Sequence, residues 1–184
     1  KDMKLIDLHK QIQNKWFIKD RIETFIGNLM IYYSIKCINK EDWKNGHIVN
    51  NNYTNTNNNE SILKPYWKDK NNSNKHKYKF NISHQNGNII SILTNNSKII
   101  DLGIDITNKN DFIKSNLNYQ DIINIYGLQF NDLEFQLINE ICHKLKNQNP
   151  DTDINEIFIK IFLELWSLKE SFVKLLGCGI TTSK

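Results

Sequence analysis

Apolar positions recur at helical spacing in two parts of the chain and alternate with polar positions in a third. Toward the C-terminus, Phe158, Ile161, Phe162, Leu165, Leu168, Phe172 and Leu176 form one stripe, as a core-facing helix requires. The opposite side is apolar too: Ile159, Leu163, Trp166 and Val173 surround Glu170 and Lys174, which are four residues apart and therefore neighbours. Lys169 falls within the main stripe. A helix apolar on both sides is usually central, so Glu170 is expected to be partly buried and to need a cation or several donors. Its partner is Lys174 or a metal; the plain alternative is an ordinary ion pair on a helix surface. Asp151 or Asp153 is placed to cap this helix, and Gly177 to end it.

Earlier, Ile22, Phe25, Ile26, Leu29 and Tyr33 predict a helix over about 20–38 that faces the core, with Gly27 admitting a close neighbour. The asparagine-rich text around residues 50–59 cannot bury apolar surface and predicts a loop over about 45–60. Tyr78, Phe80 and Ile82 alternate with polar residues as in a half-buried strand, Asn86-Gly87 signals a tight turn, and Ile89 to Leu93 returns as a second strand. A third run puts Ile100, Leu102, Ile104 and Ile106 on one face and Asp101, Gly103, Asp105 and Thr107 on the other, which completes a three-stranded meander. Phe130-Asn131-Asp132-Leu133-Glu134 reads as a helix start leading into Leu137, Ile138 and Ile141.

At 184 residues the chain has room for one domain or for two small lobes sharing a core. The hydrophobic fraction of 39% supports a globular fold, and the excess of Asn, Ile and Lys reflects nucleotide composition rather than function. A net charge of +4, scattered along the chain, suits a phosphorylated ligand or an acidic protein partner and gives no nucleic-acid signature. Cys37, Cys142 and Cys178 are widely spaced and indicate neither a disulfide framework nor zinc. With no charged-then-apolar leader and no run of about eighteen apolar residues, no membrane partner is expected, and the expected location is the cytoplasm.

Single residues are weak signals. Asp105 follows Gly103, where a missing side chain would let a bulky ligand approach, yet a strand-end Asp is commonly a turn former. His84, at a strand end, reads singly as a surface histidine, and Lys64 before Pro65 as a solvated lysine. Together, two acids, two lysines and a histidine are what a magnesium-dependent polyphosphate site needs, because hard cations take oxygen ligands and Lys or His neutralises phosphate.

Three ordered motifs then carry a family resemblance. Phe80-Asn81-Ile82-Ser83-His84-Gln85, Leu102-Gly103-Ile104-Asp105-Ile106, and Trp166-Ser167-Leu168-Lys169-Glu170-Ser171-Phe172-Val173-Lys174 with Gly177 and Gly179 resemble the signature of the surfactin-type 4'-phosphopantetheinyl transferases. The Asn-Ile-Ser-His-Gln form is similar to the eukaryotic branch that activates aminoadipate-semialdehyde dehydrogenase. Lys64-Pro65 resembles the family's Gly-Lys-Pro element, with Leu63 in place of the glycine, and Phe130 with Glu134 resembles its Phe-x-x-x-Glu.

The resemblance implies a monomer of two similar α+β lobes, about 1–97 and 98–184, with coenzyme A between them and further strands after Gly179 that this sequence lacks. It implies transfer of 4'-phosphopantetheine from coenzyme A to a serine of an apo carrier domain, either that of aminoadipate reductase in lysine biosynthesis or an acyl carrier protein, with release of adenosine 3',5'-bisphosphate. Asp105 and Glu170 would ligate Mg2+, with Thr107 standing where many bacterial members have a third acid and water filling that position. Lys174 would contact phosphate and take part in proton transfer. Lys64, Asn81, Ser83 and His84 would hold coenzyme A, with Lys10 or Lys19 meeting its 3'-phosphate. Glu134 or water would be the base. The alternative class is a non-catalytic relative that binds carrier protein or nucleotide without turnover.

Overall fold

The computed structural model describes residues 17–49, 64–69, 77–110 and 117–177. Its elements run α1 (Ile18–Ile38), α2 (Lys40–Asn45), β1 (Gly46–Val49), β2 (Tyr66–Asp69), β3 (Lys79–Gln85), β4 (Asn88–Thr94), α3 (Tyr119–Tyr126), a 3-10 turn (Gly127–Gln129), α4 (Asp132–Gln148) and α5 (Ile154–Leu176). The fold class is α+β. The chain divides into two compact units, with boundaries between Ile106 and Thr107 and between Glu170 and Ser171. Residues 98–106, which the family resemblance assigns to the second lobe, pack with the first unit.

In the first unit, Asn86 and Gly87 both take positive φ, 53° and 86°, the conformation that a two-residue hairpin turn requires. β3 and β4 therefore pair antiparallel from Gln85↔Asn88 to Lys79↔Thr94. α1 lies against this hairpin, and Gly27 makes the approach possible, because a Cβ there would stand 2.7 Å from Ile82 Cγ2. β1 and β2 form a second antiparallel pair, Gly46↔Asp69 to Val49↔Tyr66. Ile31, Ile35, Ile48, Trp67, Tyr78 and Phe80 build the core, with Trp67 in edge contact with Tyr32 and Tyr78.

The second unit is helical among the described residues, so the expected likeness of two α+β lobes is not seen there. Two capping boxes start its helices, Asn118 with Asp121 on α3 and Asn131 with Glu134 on α4. Asp153 caps α5, its Oδ1 accepting from Asn155 N at 3.1 Å. Phe158, Phe162, Ile138 and Ile122 fill the core, and Trp166 packs on Tyr126 and Phe130. The central position expected for α5 holds in part over its first half, where Ile157 to Ile159 and Ile161 to Leu163 are buried and Lys160 and Glu164 share the exposed side.

Four expectations need correction. The helix over 20–38 exists, but Ile22, Phe25, Ile26, Leu29 and Tyr33 are exposed, while Glu23, Gly27, Asn28, Ile31 and Ile35 face the core. Gly27 selects that face, since only there does the hairpin come close. On α5, Leu168, Phe172 and Leu176 are likewise exposed. Residues 100–107 do not form a third strand; they follow β3 as irregular chain because side chains of β3 take their backbone N–H groups. Residues 46–49, expected at the start of the asparagine-rich loop, are strand β1. The asparagine-rich residues 50–59, together with Lys10, Leu63, Cys178 and Gly179, lie outside the described residues.

Candidate active site

The polar side of β3 is buried. Asn81 and Ser83 turn it toward residues 102–106, Asn81 Oδ1 accepting from Ile104 N at 3.0 Å and Ser83 Oγ from Ile106 N at 3.2 Å. The end of α5 covers the same segment. A Cβ on Gly103 would collide with the Ser171 carbonyl oxygen and stand 2.6 Å from Leu175 N. What approaches Gly103 is thus a helix backbone, not the ligand expected from the sequence.

This close approach brings three expected site residues together. Asp105 Oδ1 accepts from Ser83 Oγ at 2.9 Å and from Lys174 Nζ at 2.5 Å, and Lys174 Nζ also reaches Ser83 Oγ at 3.0 Å. The Ser83 hydroxyl has one proton and two lone pairs. With the proton on Asp105 and the lone pairs facing Ile106 N and Lys174, its capacity is used in full. The Asp105 side chain is 9% exposed and that of Lys174 31%, so the cation is the wetter partner. Gly177, with φ 72° and its N–H on Val173 O at 2.9 Å, ends α5 as expected, three residues after Lys174.

Lys64 stands behind this cluster. Its Nζ meets Leu102 O at 2.6 Å, Leu175 O at 3.2 Å and Asp101 Oδ1 at 2.9 Å, so three protein acceptors match its three ammonium hydrogens. It fastens the 101–106 segment to the carbonyl end of α5, where a cation is favourable. A coenzyme A contact would have to replace one of these three.

His84 is held by a residue the sequence reading did not single out. Glu23 Oε2 lies 2.8 Å from His84 Nδ1, and Glu23 Oε1 accepts from Gly87 N at 2.6 Å. Lys19, a candidate for the 3'-phosphate, donates to Asn86 Oδ1 at 2.9 Å and is 4.0 Å from Glu23. A signal for Glu23 was present, since it stands one turn before Gly27 on the face that the glycine marks for close packing.

In the second unit Glu134 closes the α4 capping box through Asn131 N at 2.8 Å and receives Lys169 Nζ at 2.7 and 2.6 Å. Lys169 also lies over the Phe130 ring, 4.5 Å from its centroid. This explains a lysine within an apolar stripe. Glu170 is half-buried, as expected, and precedes Lys174 by one turn of α5. A cavity of about 410 Å³ lined by Tyr119, Asn139, Cys142, His143, Ile154, Asn155 and Phe158 involves none of the expected site residues.

No group of three or more His, Cys, Asp or Glu side chains fit to hold a metal ion occurs among the described residues. Magnesium does not require one, because it is commonly held by one or two carboxylates with substrate phosphates and water. The position of Asp105 suits it: a mostly buried carboxylate that already draws an ammonium group to one oxygen. Carboxylates such as those of Asp105 and Glu170 are oxygen ligands of the kind that magnesium takes.

Residues 3–97 match the family model described as "4'-phosphopantetheinyl transferase, N-terminal", and residues 101–184 the one described as "4'-phosphopantetheinyl transferase superfamily". No curated protein matches the chain.

Proposed function

Because this chain belongs to the 4'-phosphopantetheinyl transferase family, enzymes that take coenzyme A as substrate and act on carrier proteins, we propose that Ser83, Asp105, Glu170 and Lys174 carry out its transfer chemistry. The observation that supports this most is the Ser83–Asp105–Lys174 cluster, assembled from three separate segments around Gly103. The carrier serine oxygen forms a bond to the phosphorus that bears pantetheine. The bond from that phosphorus to the bridging oxygen of the pyrophosphate breaks, and adenosine 3',5'-bisphosphate leaves.

Each side chain has a task in that step. Lys174 turns its ammonium from Asp105 to the phosphate oxygens and lowers the cost of the charge that gathers there. Ser83 keeps Asp105 in place while Lys174 moves. Asp105 and Glu170 are the residues that would hold Mg2+, which when bound neutralises pyrophosphate charge. Asn81 fixes the Asp105 segment through Ile104 N, and His84 and Lys64 serve coenzyme A, Lys64 by way of the α5 terminus it fastens. The serine proton passes to Glu134 or to water.

The finer reading is a monomer in the cytoplasm that modifies the carrier domain of an aminoadipate reductase in lysine biosynthesis. It is supported by the Asn81-Ile82-Ser83-His84-Gln85 motif and by the N-terminal family match. No described helix is long and apolar enough to cross a membrane. The test is release of adenosine 3',5'-bisphosphate from coenzyme A on adding that apo carrier, with magnesium and with a chelator in its place. Release only with carrier and magnesium supports the reading. Release with an acyl carrier protein but not with this one removes the pathway alone, and no release with either removes the transfer assignment.

A further inference from the structure

Glu23 is a carboxylate with a side chain only 5% exposed, buried on the side of α1 that Gly27 brings against the hairpin. A buried charge of this kind needs specific partners. Two of its partners are on the β3–β4 hairpin: the Gly87 amide at 2.6 Å on Oε1 and His84 Nδ1 at 2.8 Å on Oε2. An ionised carboxylate only accepts hydrogen bonds, so Nδ1 of His84 carries the hydrogen and the ring is fixed in one tautomer and one orientation. Nε2 is then the nitrogen that Glu23 does not use. The His84 side chain is 27% exposed, against 5% for Glu23, so the pair has a buried end and an open end. Lys19, 53% exposed, lies 4.0 Å from Glu23.

We propose that Glu23 is a positioning residue for coenzyme A: it holds His84 so that Nε2 is presented to a phosphate of the ligand. The proposal rests on the coenzyme A role given to His84 above. By gripping the Gly87 amide as well, Glu23 ties the hairpin turn to α1, so the ring and the backbone that carries it are located by one side chain. An imidazole located in advance loses less freedom when the phosphate binds.

The test compares coenzyme A binding and steady-state rates in the wild type, E23Q, H84A and the double variant. E23Q keeps the volume and the acceptor for Gly87 N but offers His84 an amide. The expected result is an affinity loss of about tenfold in E23Q with kcat little changed, the range in which removing an orienting partner usually acts. The double variant should bind no more weakly than H84A alone, because Glu23 acts through His84. Nitrogen-15 NMR of the His84 ring should show Nδ1 protonated in the wild type, and loss of that preference in E23Q. Wild-type affinity in E23Q with weakened binding in H84A would overturn the proposal and leave the His84 role standing. Wild-type affinity in H84A would remove that role, and the proposal with it. An unprotonated Nδ1 in the wild type overturns the proposal even if E23Q proves too unstable to assay.

Discussion

Lys174 Nζ stands 2.5 Å from Asp105 Oδ1, and Ser83 Oγ lies within 3.0 Å of both. A lysine near the end of α5 and an aspartate 69 positions earlier in the chain are thus one charge pair. Removing the charge of the acid takes away the partner that positions the lysine and, on the proposed function, a metal ligand. Asp105→Asn is expected to lower turnover by at least about a hundredfold. Glu170→Gln should do the same, and in both variants added magnesium should recover little activity. The check is initial rate against magnesium concentration; near-normal rates in both amides would remove the metal assignment.

Gly103 permits that pair to form. Gly103→Ala would drive a Cβ into the backbone of α5 at Ser171 and Leu175, atoms that cannot move without shifting the helix. Overpacking of this kind costs about 1–3 kcal/mol. A thermal melt should show a clear loss of stability, and activity should fall with it because Asp105 and Lys174 no longer meet. An unchanged melt would mean that the helix end is not seated on Gly103.

Lys64 separates a structural cation from a ligand contact. Its side chain is 11% exposed and three acceptors surround its ammonium, so Lys64→Ala should cost about 1–3 kcal/mol of stability. Coenzyme A affinity should then fall along with loss of order in the α5 terminus. Calorimetric titration beside a thermal melt distinguishes the two, since weaker binding at unchanged stability would make Lys64 a direct contact.

The hairpin was legible in the sequence because Asn86-Gly87 is a local signal, and both residues do take positive φ. Gly27, Gly177 and the start of α4 at Asn131 were legible for the same reason. The buried face of α1 was not, because periodicity ranks Ile22 and Phe25 above Glu23 and Asn28, and only the distant His84 and Gly87 make Glu23 a core residue. Residues 100–107 alternate as a strand does, yet their N–H groups go to the side chains of Asn81 and Ser83. No pattern within the segment shows that. Asp105, Ser83 and Lys174 could be picked out by motif, while their contact depends on Gly103 meeting a helix backbone almost 70 residues later.

Acid stability should report a second buried cluster in the first unit. Asp42 accepts from Tyr78 Oη at 2.6 Å and pairs with Lys77 at 2.5 Å. Burial pushes the Asp42 carboxyl up, but the hydrogen bonds from Lys77 and Tyr78 and the charge of Lys77 outweigh it and leave the group below its ordinary value. Burial, followed by the hydrogen bond to Asp42, raises the Tyr78 hydroxyl. A carboxyl lowered in the folded state contributes stability that is present above its unfolded value and is lost as the pH falls through its folded one. Denaturant midpoints should therefore drop below about pH 4, and the drop should be shallower in Asp42→Asn. An equal acid slope in the variant would show that Asp42 contributes nothing to it.

On the proposed function, the protein moves phosphopantetheine from coenzyme A onto a carrier serine. The most direct measurement is the intact mass of an apo aminoadipate reductase carrier domain after incubation with coenzyme A, magnesium and the protein. The account predicts a gain of one phosphopantetheine group on serine with the wild type and none with Asp105→Asn. A carrier that binds the protein and coenzyme A yet keeps its apo mass, with acyl carrier protein equally unmodified, would contradict it.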